Sequence, residues 1–271
     1  MLRLLFRTAI ISASLACMPA AVLAMPSQSS IDAAKLAEDR GAQIYAYDQA
    51  AWHSTDAFLK DVDVSANPSL RGYIVVPDPD GRLRAIYYAT SASGLVAFRS
   101  YSMGTDNSVV RLTADNGSPL SATAMRMIAA RETALEYAAS NQLGLCANVR
   151  PNTVVLPPDS SGKVSVYVMT PQIRTGYVSA GGHYRFDFDS DNQLSSHRKF
   201  TNSCLTIPPP KKGAAAFVMN HLLDDQPTEI HAFLSRTVPF PLAIIFQSKD
   251  MWTAHKGRLE YVEQPDPQTR S

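Results

Sequence analysis

Three clusters of turn-forming residues most constrain how this chain can fold: Asp78-Pro79-Asp80-Gly81, Asp159-Ser160-Ser161-Gly162 and Asp189-Ser190-Asp191-Asn192. Each lies between short runs rich in Val, Ile, Tyr and Phe, and each ends in a Gly or Asn that tolerates the positive φ of a tight turn. Residues 73–88, 153–168 and 184–200 are therefore expected to form antiparallel hairpins. Further strands are expected over 217–223, 230–235, 242–246 and 258–262.

Helical periodicity occurs in two places. Ser29 and Ser30 precede an acidic first stretch, and Ile44, Tyr45, Asp48, Ala51 and Trp52 continue at helical spacing towards Leu59. This predicts one long helix, or two joined near Gly41, with Trp52 anchoring it to a sheet. Alternatively, Tyr45, Tyr47, Trp52 and His53 form an aromatic patch for a ligand. Residues 122–140 predict a second helix, with Ser121 as its N-cap and an end near Gly144. The expected fold class is α+β, with a helical arm and one further helix on a mostly antiparallel assembly of about ten strands.

The first 24 residues read as a cleaved secretory leader. Arg3 and Arg7 open it, an apolar stretch follows, and Val22-Leu23-Ala24 supplies the small residue before the cut. A lipoprotein start at Cys17 fits less well, because Ser14 stands where a large apolar residue is usual. Residues 25–263 then form a single domain with an internal breakpoint at 208–213, where three prolines precede Lys211-Lys212-Gly213, and 264–271 form a loose tail. The expected location is periplasmic or secreted, with no membrane-spanning segment after cleavage.

Loss of the leader removes two of the 25 basic side chains and none of the 24 acidic ones, so the remainder is nearly neutral. Such a chain lacks the basic excess that nucleic acid binding needs. It also leaves two cysteines, Cys146 and Cys204, an even number in an oxidising compartment, where a disulfide is expected.

Candidate chemistry centres on His183-Tyr184-Arg185-Phe186-Asp187-Phe188-Asp189. On a strand, Tyr184, Phe186 and Phe188 share an apolar face, while His183, Arg185, Asp187 and Asp189 share a polar one. That polar face is either solvated or the floor of a cleft, and Gly181-Gly182 beside it leaves room for close approach. Asp187, Asp189, Asp191 and Asn192 depart from a calcium-binding EF-hand, because Asn192 and Arg198 occupy the positions of its Gly and Glu.

His221, Glu229 and His231 have a composition that zinc could use, but a hairpin pairing Leu223 with Thr228 would put the two histidines on opposite sheet faces. Nucleophile-elbow, phosphate-loop, dinucleotide and zinc-protease motifs are missing, so no cofactor or metal is expected. The function expected is non-catalytic: binding of a protein or small molecule in the cell envelope. One alternative is a hydrolase drawing on His183, Arg185, Glu229 and His231. The other is an inhibitor or immunity factor using the 224–228 loop.

Overall fold

The structure is a computed structural model, and it describes residues 26–104, 106–113 and 116–263. The leader and the tail lie outside the described residues. The fold is α+β, with three helices and four small sheets among the described residues.

Helix α1 runs unbroken over Gln28–Asp61, 34 residues, or about 51 Å at 1.5 Å per residue. Its N-cap is Ser27, whose side chain accepts the Ser30 N–H, so Ser29 and Ser30 fall within the first turn. The buried stripe consists mostly of small residues: Ala34, Ala37, Gly41, Ile44, Tyr47, Ala51, Ser54 and Phe58. Phe58 stacks on Tyr87 with ring centroids 3.9 Å apart. Trp52 does not anchor the helix. It is 57% exposed and stacks on His53, because the three- and four-residue spacing of the small residues sets which face turns inward.

The first sheet is an antiparallel meander of β1 (Leu70–Pro77), β2 (Leu83–Ser91), β3 (Gly94–Met103) and β4 (Val109–Leu112). Helix α2 (Ala122–Ser140) follows, capped by the Ser121 side chain accepting from Ala124 N–H. The second sheet contains β5 (Asn152–Leu156), β6 (Val164–Met169), β8 (Tyr184–Phe188) and β9 (Leu194–Lys199), and a short ribbon pairs β7 (Val178–Ser179) with β10 (Thr206–Ile207). All three expected hairpins are present. In each, the first residue's N–H bonds four residues on, as in Asp159 N–H to Lys163 O, and Gly81, Gly162 and Asn192 take the positive φ.

The third sheet contains β11 (Phe217–His221), β12 (Leu242–Phe246), β13 (Met251–His255) and β14 (Arg258–Val262), with β11 parallel to β12. Fourteen strands are thus present among the described residues, where about ten were expected. The strand expected over 230–235 is instead a helix, α3 (Glu229–Thr237), which forms the crossover that a parallel pair requires. Residues 229–235 are all buried, and a nine-residue apolar segment is too short to be told from a buried strand by its pattern alone.

Alternate faces of the first two sheets pack into two cores. Val75, Tyr87, Tyr101, Val154 and Tyr167 join α1, α3 and the third sheet, while Ile74, Tyr88, Val166 and Phe186 pack with α2. Helix α3 crosses α1 at Gly41, where an added Cβ would lie 2.6 Å from Ala232 Cβ and 2.8 Å from the Glu229 carbonyl oxygen. Gly41→Ala should therefore destabilise by about 1–3 kcal/mol, outweighing the better helix propensity of alanine. Urea unfolding followed by circular dichroism checks this, and a gain in stability would refute the close crossing.

Cys146 and Cys204 are joined as a disulfide, with their Cα atoms 5.3 Å apart. Among the described residues no helix is long and apolar enough to cross a membrane.

Candidate functional site

The polar face of β8 is covered. Tyr184, Phe186 and Phe188 pack towards α2 as the alternation requires, and on the other side His183 and Asp187 are buried and Arg185 is half-buried. The N-terminal turn of α3 brings Glu229 over this face. Arg185 donates to Glu229 Oε1 at 2.5 Å and, through Nε, to Asp187 Oδ2 at 3.1 Å. The hydroxyl of Tyr167 on β6 donates to the same Glu229 oxygen at 3.1 Å. Ser165 and Ser196 donate to the two oxygens of Asp187 at 2.7 and 3.3 Å.

Every charge in this network has a partner of opposite sign or a hydrogen-bond donor, as burial demands. Burial opposes the charge of Arg185, but the nearby Glu229, Tyr167 and Asp187 outweigh it and raise its pKa above the ordinary value. Burial, reinforced by the Glu229 carboxylate, likewise pushes the Tyr167 hydroxyl up, so it stays protonated and continues to donate.

His183 does not join this network through a hydrogen bond. Its Nε2 lies 2.9 Å from the Ser179 carbonyl oxygen, so Nε2 carries the proton, and its buried Nδ1 has no hydrogen-bond partner among the described residues. Burial lowers its pKa to about 4, although the bond to Ser179 opposes this. Gly181 and Gly182 accommodate the chain around the disulfide: a Cβ on Gly182 would meet the Cys146 nitrogen and sulfur at 2.8 Å. Asp189 accepts the N–H groups of Asp191 and Gln193, which is the work of a turn.

His231 caps α3 from within. Its Nδ1 accepts the Thr228 backbone N–H at 3.0 Å, so its proton resides on Nε2. Burial, together with the charge of His221, lowers its pKa to about 3. The two histidines do not lie on opposite sheet faces. Because α3 replaces the expected strand, their rings meet edge to face with centroids 4.6 Å apart.

His221 Nε2 is 2.7 Å from Asp224 Oδ2, and Arg198 on β9 donates to both oxygens of Asp224 at 2.8 and 3.0 Å. Burial would raise the Asp224 pKa, but the His221 bond and the Arg198 charge hold it below the ordinary carboxylate value. The sequence spacing of His221 and Asp224 was visible; the arrival of Arg198 from another sheet was not. The 224–228 loop is tied down, with Asp224 held by Arg198 and both Pro227 and Thr228 buried.

Among the described residues no group of three or more His, Cys, Asp or Glu side chains is placed to hold a metal ion. A small pocket of about 10 Å³, bordered by Tyr47, Tyr73, Arg131 and Thr153, has room for no more than a single water. No family model, curated protein or solved structure matches this chain.

The buried groups set the pH dependence of stability. His183 and His231 remain neutral when folded but take up protons in the unfolded chain below their ordinary 6.5. Their contribution is complete above that pH and is lost as pH falls towards 4 and 3. Asp48, which burial raises to about 6, acts oppositely: its contribution declines as pH rises from its ordinary 3.8 to that value. Two protons against one leave stability falling by about 1.4 kcal/mol per pH unit from pH 6 to pH 4. Urea unfolding at each pH should show this slope, and His183→Gln with His231→Gln should flatten or reverse it; a slope unchanged in the double variant contradicts the assignment.

Proposed function

We propose that the protein is exported through its leader and acts in the periplasm or outside the cell by binding a protein or small-molecule partner, without catalysis. The observation that carries this reading is the occupation of the polar side chains. Arg185 and Glu229 neutralise each other under a covering helix, His183 bonds its own loop, and His231 caps α3. A general base needs a free nitrogen and a pKa near the working pH, and neither histidine offers that combination. The disulfide between Cys146 and Cys204 supports an oxidising compartment.

The test is turnover of generic ester, phosphoester, peptide and glycan substrates by the purified protein, beside Glu229→Gln and His231→Gln variants that retain the native far-ultraviolet spectrum. No turnover dependent on either residue is expected. Turnover abolished by one of these substitutions would replace the binding reading with a hydrolase.

A further inference from the structure

Strand β11 is the least protected sheet edge among the described residues. Phe217 N–H bonds to the Pro241 carbonyl oxygen, and the parallel register places the peptide groups of Phe217, Met219 and His221 towards β12. The peptide groups of Val218 and Asn220 therefore point away from the sheet, and no hydrogen bond to either is found among the described residues. Exposed edges usually carry a charge, a proline or a bulge that blocks pairing. At the other edges β4 carries Arg111, β9 carries Arg198 and Lys199, β14 carries Arg258 and Glu260, and β1 carries Arg71 and a bulge. Of the remaining edge strands, β5 is almost wholly buried, and β7 and β10 are only two residues long. From Gly213 to Leu223 there is no Lys, Arg, Asp, Glu or proline, and Val218 and Leu222 are 59% and 60% exposed.

We propose that this edge pairs with the same edge of a second copy of the chain, forming a two-fold dimer with one continuous eight-stranded sheet. The charge order favours a self-complementary antiparallel match. Lys211 and Lys212 precede the strand, Asp224 and Asp225 follow it, and Val218 is midway between them. With Val218 opposite Val218 of the second copy, Asn220 faces Ala216, and the turn that holds Lys211 and Lys212 in each copy approaches the aspartates of the other. This register pairs only outward-pointing peptide groups with one another, for about six new backbone hydrogen bonds. It also places the Val218 side chains together on one sheet face. Exposed Lys211, Lys212 and Asp225 have no ion-pair partner among the described residues and are available for it. The inference concerns assembly and goes beyond the binding reading, on which it does not depend.

Analytical ultracentrifugation of the purified protein over a concentration series up to about 100 μM tests it. A dimer is expected. Val218→Pro, which removes an outward N–H and no internal bond, should abolish it. Lys211→Glu with Lys212→Glu lies outside the strand and should weaken it by about tenfold or more, and adding Asp225→Lys should recover part of the loss. Circular dichroism confirms that each variant is folded. A monomer throughout the series overturns the proposal, as does a dimer indifferent to both the proline and the charge reversal.

Discussion

Glu229→Ala should lower the unfolding free energy by about 3–5 kcal/mol, the usual cost of removing one partner from a buried ion pair. The substitution removes the acceptor of both Arg185 and Tyr167, whose donors lie 2.5 and 3.1 Å from one Glu229 oxygen. Arg185 would keep Asp187, but its outer nitrogen would face a space without a carboxylate. The cost lies towards the lower end of the range because a quarter of the Arg185 side chain reaches solvent. Glu229→Gln keeps an acceptor oxygen and loses the charge, so it should fall between wild type and alanine. Arg185→Met combined with Glu229→Leu should recover little of the loss, since it leaves the buried Asp187 carboxylate without the cation that pairs with it. Chemical denaturation of the four proteins decides the matter; a loss below about 1 kcal/mol for Glu229→Ala would show that the pair is effectively solvated.

Opening the disulfide should cost roughly 4 kcal/mol, from the chain-entropy model for a loop of 58 residue steps. The bond ties the segment after α2 to the segment between β9 and β10, and Cys146 N–H is also held by the Thr170 hydroxyl at 3.0 Å. For a chain of this size the thermal midpoint of Cys146→Ala with Cys204→Ala should drop by about 10 °C. Dithiothreitol should produce a similar drop in the wild type and none in the double variant. Equal midpoints for wild type and variant would mean that strain or residual unfolded-state structure cancels the cross-link.

The hairpins were legible because their information is local. An Asp opening the turn and a Gly or Asn three residues later specify both the loop and its register. Helix α2 was legible for a related reason, since Ser121 precedes a regular apolar stripe. The α3 segment was not, because nine residues with a buried apolar run also fit a short strand, and its capping residue at the third position is His231 where Glu or Gln is usual. That single misreading separated His221 from His231, which the structure brings into contact.

Size misled at Trp52: its large ring suggested an anchor, whereas the helix is buried through alanines and Gly41. For the polar face of β8, alternation alone specified that Arg185 and Asp187 point together. What covers them arrives 44 residues later in the chain, as Glu229 on α3, and no local pattern announces such a pairing.

The polar side chains converging at α3 and β8 are locked into the fold. Nuclear magnetic resonance titration of the histidine rings between pH 8 and pH 4 tests this most directly. His183 and His231 should remain neutral down to about pH 5, with the Nε2 tautomer throughout, because their pKa values lie at about 4 and about 3. Protonation of either ring near its ordinary 6.5 would contradict the account and return that histidine to consideration as an acid–base group.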